Sequence, residues 1–460
     1  MPRKRKNSQL KAQQSGGSGG LKKSKIELPS MHMLNDDCLE EVFRRLELQD
    51  LFKLEMVCKR FREITLKVYR YCTTLNCDFL LIYCKKNQQK HLEVMASKVG
   101  NYVENLKLSA EVKDNDSARR DFMSILAKCK KVKHFRISRA RDDLFVSDTS
   151  NVLNRTFSGL KTLQLDRCRF VDKAGEYILK AVQLEELQMF RMGNIGSWFF
   201  QIRNLKKLLI YPLYAKWGII MAEFARFCEN NSNLDTISLK LSFNFNPDCF
   251  DAITSNLKNL QRAEFIGFNK NACQKVKNLK KLADLTKLKH LRLRGIDNLA
   301  PLMELLANRN ILESLDVSFH PPDGDCDPRV VLWGISRLTR LKKLSTDYWM
   351  YDDILLNLDS HETLEEVSIV GSQVTDQAVC QFVQKCKKLT SLNLSGCPKL
   401  TSNLITDILP IVMKRNQQLT IFVGHTRIYA KSKNPKLNIS RTNKNFSPNQ
   451  YKKLRHLNLH

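Results

Sequence analysis

Two stretches far apart in this chain carry the same spacing of apolar side chains. The first is GLKTLQLDRC (159–168) and the second is KLTSLNLSGCPKLT (388–401). The shared positions are Leu160, Leu163, Leu165 and Cys168 in the first stretch and Leu389, Leu392, Leu394 and Cys397 in the second. Looser copies begin at Val103, Val132, Leu184, Leu205, Leu234, Leu260, Leu288, Leu312, Leu341, Leu364 and Leu419. A unit that recurs about every 26 residues over most of a chain predicts an array of stacked repeats.

The spacing L-x-x-L-x-L-x-x-C resembles the frame of leucine-rich repeats, in which each strand is followed by a helix. The helical halves are visible between the frames, because TDQAVCQFVQKCKK (375–388) and APLMELLANRN (300–310) each place apolar residues on one face. Each repeat exposes apolar residues that only its neighbours can cover. We therefore expect an α/β solenoid of about 12–13 leucine-rich repeats over residues 101–428, a curved horseshoe with its strands on the concave side.

Residues 34–64 read LNDDCLEEVFRRLELQDLFKLEMVCKRFREI and carry two amphipathic helical stripes. The stripes are Leu39, Val42, Phe43 and Leu46, followed by Leu54, Val57, Cys58 and Phe61. Asn35 and Asp50 are placed to cap the two helices. A unit of about 40 residues buries too small a fraction of its surface to be stable by itself. The apolar residues that remain therefore indicate a partner or a neighbouring domain.

The pattern L-N-D-D-C-L-x-x-V-F-x-x-L-x-x-x-D-L-x-x-L-x-x-V-C-x-x-F resembles the F-box, with Asn35 in place of the usual Pro and Phe61 in place of the usual Trp. In that family, three helices bind a Skp-class adaptor, which joins a cullin and RING scaffold. The resemblance implies an F-box at residues 31–75, and we expect a connecting helical segment at 76–100. It implies ten adaptor-binding residues: Leu34, Leu39, Val42, Phe43, Leu46, Leu51, Leu54, Val57, Cys58 and Phe61. The alternative is that these residues only pack against the chain's own downstream domain.

A second candidate site lies on the predicted strands, where side chains alternate and the residues between the leucines of each frame face outward. Arg262, His290, Arg292 and Arg294 come from two adjacent repeats and predict a basic patch for an acidic or phosphorylated segment. Phe190 and Tyr211 are candidate exposed anchors for a target protein. The alternative for the basic patch is a solvated strand face of mixed charge.

The net charge of +29 is concentrated at the two ends of the chain. Residues 1–30 hold eight Lys or Arg against one Glu, and residues 425–460 hold nine Lys or Arg and no acidic residue. We expect a disordered basic arm at 1–30 and a basic C-terminal tail at 429–460. The run Arg3, Lys4, Arg5 and Lys6 resembles a nuclear localisation signal, so both nucleus and cytoplasm are expected locations.

The sequence contains no motif for intrinsic catalysis and predicts neither a cofactor nor a metal site. The fourteen cysteines lack C-x-x-C spacing, and we expect packed, reduced thiols, including Cys168 and Cys397. No apolar run of about 18 residues occurs, so no membrane-spanning helix is predicted.

The expected function is that of a non-catalytic substrate-recognition subunit in an SCF-type ubiquitin ligase, the class built from a Skp adaptor, a cullin and an F-box protein. The F-box would hold the adaptor, and the repeats would hold an unidentified target protein for ubiquitin-dependent proteasomal degradation. Two alternatives stay open. One is a nuclear scaffold that binds nucleic acid through the basic termini, and the other is an F-box and adaptor complex that acts outside ubiquitination.

Overall fold

The structure is a computed structural model, and it divides the chain into two units, Met1–Tyr71 and Cys72–His460. It describes residues 31–77, 86–109, 116–145, 150–170, 173–192, 196–211, 221–240, 248–267, 278–296, 299–318, 328–347, 350–428 and 434–441. The predicted basic arm with its Arg3–Lys6 run lies outside these residues, as does most of the predicted C-terminal tail. No helix in the described ranges is long and apolar enough to cross a membrane.

The first unit contains three short helices: α1 (Asp36–Phe43), α2 (Leu48–Glu55) and α3 (Lys59–Val68). The cap predicted for α1 is confirmed, because the backbone N–H of Cys38 donates to Asn35 Oδ1 at 2.8 Å. The cap predicted at Asp50 is wrong. Asp50 lies inside the first turn of α2, where it forms an ion pair with Lys53 at 2.7 Å, and Glu47 occupies the N-cap position.

The second unit is a single parallel sheet of fifteen strands among the described residues, and each strand pairs with its neighbours in sequence order. The strands are β1 (Thr74–Asn76), β2 (Asn105–Ser109), β3 (His134–Ser138), β4 (Thr162–Asp166), β5 (Glu186–Phe190), β6 (Lys207–Tyr211), β7 (Thr236–Lys240), β8 (Arg262–Ile266), β9 (His290–Arg294), β10 (Ser314–Ser318), β11 (Lys343–Asp347), β12 (Glu366–Val370), β13 (Ser391–Asn393), β14 (Leu419–Phe422) and β15 (Leu437–Ser440). Parallel neighbours of this kind need a crossover after every strand.

Helical segments supply these crossovers. They are α4 (Lys86–Val99), α5 (Asp116–Lys128), α6 (Ser150–Ser158), α7 (Lys173–Ile178), α8 (Met221–Asn230), α9 (Cys249–Asn256), α10 (Ala300–Arg309), α11 (Pro328–Ser336), α12 (Asp352–Leu356), α13 (Asp376–Lys385) and α14 (Asn403–Met413). Short 3₁₀ turns at Ser197–Gln201 and Leu279–Asp284 lie in the connections after β5 and β8, and a further one at Asp142–Leu144 precedes α6 in the connection after β3. The expected α/β solenoid of repeats is confirmed.

The predicted repeat frames match the strands β2 to β14. Twelve of the thirteen predicted starts lie two residues before the first residue of a strand, as Leu160 does before Thr162. The exception is Leu419, because Thr420 pairs with Ser391 and the frame therefore begins at Gln418. The sheet also extends beyond the predicted array at both ends. β1 lies where the F-box was expected to end, and β15 lies inside the expected C-terminal tail.

The second and fourth residues of each five-residue strand point into the core, and the first, third and fifth form the opposite side of the sheet, which we call the strand face. In β4, for example, Leu163 and Leu165 have no exposed surface. The predicted packing of the two frame cysteines is confirmed, since Cys168 and Cys397 are also fully buried. Their thiols donate to carbonyl oxygens of the preceding strand, and burial raises the pKa of each to about 12.

Candidate functional site

The ten residues predicted to bind an adaptor do not share one surface. Four of them, Leu39, Phe43, Leu51 and Phe61, are at most 4% exposed and form the interior of the first unit. The rings of Phe43 and Phe61 meet edge to face, with their centroids 5.2 Å apart. Their side chains pack between α1, α2 and α3, and the adaptor contacts expected for these four residues stay a prediction.

The exposed members of the predicted set are Leu34, Val42 and Val57, which retain 39%, 38% and 57% of their accessible surface. Leu46, Leu54 and Cys58 are half-buried. Other apolar side chains of the first unit are also exposed: Met33 and Met56 retain 78% each, Leu66 retains 51% and Met31 retains 43% of their accessible surface. Met33 precedes the first helical stripe, and Met56, in the break between α2 and α3, is one of the apolar residues that the two stripes leave over. We call Met33, Leu34, Val42, Met56 and Val57 the apolar surface of the first unit.

Arg60 in the first turn of α3 fixes the start of α1. Its guanidinium donates to the carbonyl oxygen of Leu34 at 2.5 Å and to Asp36 Oδ1 at 2.8 Å. These contacts bring the starts of α1 and α3 together. Segments that carry Leu34 and Val57 are thereby held close, so part of the apolar surface is pre-organised by a charged contact.

A second cluster supports the C-terminal end of α1. Arg44 forms an ion pair with Glu40 at 2.9 Å, and its guanidinium lies 3.8 Å from the centroid of the Tyr71 ring. Arg70 approaches the same Glu40 carboxylate at 3.3 Å. Together these contacts join α1 to the segment that follows α3, so the unit is closed by polar contacts outside its small apolar interior.

On the strand face of the second unit, the structure brings Phe190 and Tyr211 together. Their rings stack with centroids 5.4 Å apart, and both side chains remain partly accessible. The Tyr211 hydroxyl shares a hydrogen bond of 2.7 Å with Ser238 Oγ, which donates to Glu264 at 3.1 Å. Tyr211 is thus held at both its ring and its hydroxyl, and we call Phe190 and Tyr211 the aromatic pair.

The four residues of the predicted basic patch line a groove of about 430 Å³ that extends over β8 to β13. Two of its cations are already paired. Arg292 and Arg294 both bind Asp316, at 2.7 and 2.9 Å, and Arg292 also approaches Glu264 at 3.6 Å. The alternative of a mixed-charge face therefore describes this groove better than a basic patch does.

The other two residues of that set, Arg262 and His290, occupy adjacent positions on β8 and β9. Burial and the neighbouring Arg262 charge lower the pKa of His290, which favours the neutral form of its imidazole. At the far side of the groove, Lys343 forms an ion pair with Glu366 at 2.6 Å. Pairing of this kind leaves little net charge in the groove, whose polar groups suit a ligand of mixed polarity.

Residues 31–73 match the family of F-box domains. These residues form an F-box domain. Within the described residues, no group of three or more His, Cys, Asp or Glu side chains is arranged to hold a metal ion. The F-box domain is followed by the fifteen-stranded solenoid, in which the mixed-charge groove and the aromatic pair lie on the same face of the sheet.

No curated protein matches the chain in sequence. Two solved structures resemble it at low sequence identity. A leucine-rich-repeat protein of Leptospira interrogans is 15% identical, with coverage of 79% of this chain and 96% of that chain and a TM-score of 0.37. A chain from the yeast Rad7 and Elc1 complex is 14% identical, with coverage of 90% of this chain and 98% of that chain and a TM-score of 0.47.

Proposed function

We propose that this chain is a non-catalytic substrate receptor of an SCF-type ubiquitin ligase. The F-box domain would bind a Skp-class adaptor and, through it, the cullin and RING scaffold. The solenoid would bind a target protein on its strand face. The observation that carries the proposal is the F-box domain itself, in which the side chains of the apolar surface are exposed while the interior is buried.

The energetics of the apolar surface favour a protein partner over solvent. Fully burying a Val, Leu or Met side chain stabilises a complex by about 1.5–3 kcal/mol relative to leaving it in water. Five such residues exposed on a domain of this size are consistent with a surface that a partner protein covers. Its half-buried neighbours, such as Leu54, would add contact area at the rim.

The proposed contribution to catalysis is proximity. Held between adaptor and target, the chain would raise the effective concentration of a target lysine near the charged conjugating enzyme. This requires only binding at two places on one chain, so the receptor needs no reacting groups of its own.

The adaptor interface is tested by the double variant Val42→Asp with Val57→Asp, which places charges on the apolar surface without touching the F-box interior. Skp-class adaptor should no longer co-purify with this variant. The matched control is Val182→Asp with Val330→Asp, since these valines of the second unit are 74% and 56% exposed. Circular dichroism of all three proteins verifies the fold. Undiminished adaptor recovery by the Val42 and Val57 variant would contradict the proposed interface.

The role in degradation is tested separately through the target. Proteins retained by the intact chain should have longer half-lives after its depletion, and proteasome inhibition should remove the difference. A target whose half-life is unchanged by both treatments would favour the alternative, in which the F-box and adaptor complex acts outside ubiquitination. Nuclear import and nucleic-acid binding by the basic termini stay predictions, because most of those residues lie outside the described ranges.

A further inference from the structure

The residue that follows the strand face turns the chain with a left-handed backbone. This position is equivalent from repeat to repeat, and its φ is positive at Arg139, Arg167, Arg191, Gly295, Gly371, Gly396 and His425, with values from 53° to 74°. Its backbone N–H donates to a carbonyl of the next repeat, as Arg139 does to Asp166 at 2.7 Å. Glycine adopts this conformation freely, whereas a side chain with a Cβ is strained there.

Arginine occupies this strained position in three consecutive repeats, those of β3, β4 and β5. Adjacent strands of a sheet lie about 4.8 Å apart, so Arg139, Arg167 and Arg191 follow one another in a tight column. Two residues further along, Arg141 and Arg169 are paired by an isolated parallel bridge and add two more cations. With Arg136 of β3, these residues make up what we call the arginine edge.

One buried carboxylate compensates part of this charge. Asp166, whose side chain is 8% exposed, accepts from Arg191 Nε at 2.7 Å and lies 3.7 Å from Arg136. The Nε atom of Arg136 is buried and has no hydrogen-bond partner in the described structure. Among the described side chains, Arg141, Arg167 and Arg169 form no ion pair, and all three are exposed.

Backbone strain and a concentration of arginines therefore coincide in the same three repeats. A glycine at each position would avoid the strain, as it does at Gly295, Gly371 and Gly396. Strained residues persist where the surrounding structure enforces them, and they cluster at functional sites. Guanidinium groups collected at one edge, with part of their charge unbalanced, fit an anionic ligand that accepts several hydrogen bonds.

The arginine edge borders the aromatic pair. Arg191 directly follows Phe190, and its N–H donates to the carbonyl oxygen of Tyr211 at 2.6 Å. A cationic subsite and an apolar one thus meet at the C-terminal ends of neighbouring strands.

We propose that the arginine edge binds a phosphorylated residue in the target protein, while the aromatic pair receives an adjoining apolar side chain. This rests on the proposed function, because it identifies the chemistry of the target segment. A phosphate group carries close to two negative charges at pH 7 and three acceptor oxygens, which match several guanidinium donors.

The charge distribution favours a single phosphorylated residue over a nucleic acid. Carboxylates recur along the strand face at Asp166, Glu186, Glu264, Asp316 and Glu366. A polyanion that crossed the sheet would meet these groups repeatedly. A peptide with one phosphate at the arginine edge would meet mainly cations there and could follow the mixed-charge face with ordinary polar residues.

The test uses the full chain and an immobilised peptide library with a central phosphoserine between degenerate positions, together with the same library unphosphorylated. The intact chain should retain phosphorylated peptides at least about tenfold better. The variant Arg167→Gly with Arg169→Ser should lose this preference. Its melting temperature should not fall, because glycine relieves the left-handed strain, so lost binding cannot be attributed to unfolding.

The control variant Arg337→Ser with Arg340→Ser removes two exposed arginines from another repeat and should keep the preference. Equal retention of both libraries by the intact chain would overturn the proposal, as would a preference that survives in the Arg167 and Arg169 variant. Retention of a single-stranded oligonucleotide that depends on Arg167, without retention of phosphopeptides, would assign the edge to nucleic acid instead. Adaptor recovery in the same samples reports on the F-box separately.

Discussion

Substitution of Phe43 by alanine should unfold the F-box domain while a neighbouring surface substitution leaves it folded. Phe43 has no exposed surface, and its ring contacts that of Phe61 in the middle of the domain. Truncating a buried phenylalanine typically costs about 3–5 kcal/mol, from lost burial and from the cavity left behind. Val57 is 57% exposed, so Val57→Ala should change the free energy of unfolding by no more than about 0.5 kcal/mol.

The size of the domain makes the first of these losses decisive. Folded proteins hold roughly 0.05–0.15 kcal/mol of stability per residue, which gives about 2–6 kcal/mol for residues 31–71. The expected loss is therefore as large as the whole stability of the unit. The repeat unit has its own buried leucines and should retain its fold.

Hydrogen exchange followed by mass spectrometry measures this directly. In Phe43→Ala, amides of α1, α2 and α3 should lose their protection, while those of the strands in the second unit stay protected. Val57→Ala should exchange like the unsubstituted chain yet bind adaptor more weakly. Protection of α1 to α3 that is unchanged in Phe43→Ala would refute the assignment of this residue to the domain interior.

Two further predictions concern the second unit. Gly175→Ala should lower the free energy of unfolding by about 1–3 kcal/mol, because an added Cβ would lie 2.5 Å from the buried Trp198 ring. Urea titrations measure this loss. Stability equal to that of the unsubstituted chain would show that the ring can move aside. Burial raises the pKa of Cys397 to about 12, so its thiol should resist alkylation at pH 8 in the folded chain and react after denaturation. The thiol of an unfolded chain ionises near pH 8.5, so the contribution of buried Cys397 to stability should be lost as pH rises from about 8.5 through 12. Rapid labelling of the folded protein at pH 8 would contradict the burial of Cys397.

The sequence predicted the repeat array well because its frame is a strict geometric requirement. A side chain that must fill the core recurs two and four places into every strand, so the spacing of leucines is read directly from the chain. The strands β1 and β15 were not predicted, because each has one clearly buried leucine, Leu75 or Leu437, and lacks the full repeat frame. Terminal repeats have a neighbour on one side only and are atypical for that reason.

The candidate sites were less accessible to sequence reasoning. Helical periodicity places Val42 and Phe43 on one stripe, but only the packing of three helices decides that the phenylalanine turns inward. Likewise, Asp316 is a full repeat away from Arg292 along the chain, and only the register of β9 and β10 makes them partners. The arginine edge was missed because nothing in a lone arginine signals a left-handed backbone.

The ordered pairing of strands fixes the distance between sites on the strand face. The number of strands sets the spacing between the aromatic pair on β5 and β6 and the groove over β8 to β13. From β5 to β13 there are eight steps of about 4.8 Å, or roughly 40 Å, a distance that an extended peptide covers with about twelve residues. Gain or loss of one repeat between the two places would therefore change the required length of a bound segment by one to two residues while leaving both ends chemically intact.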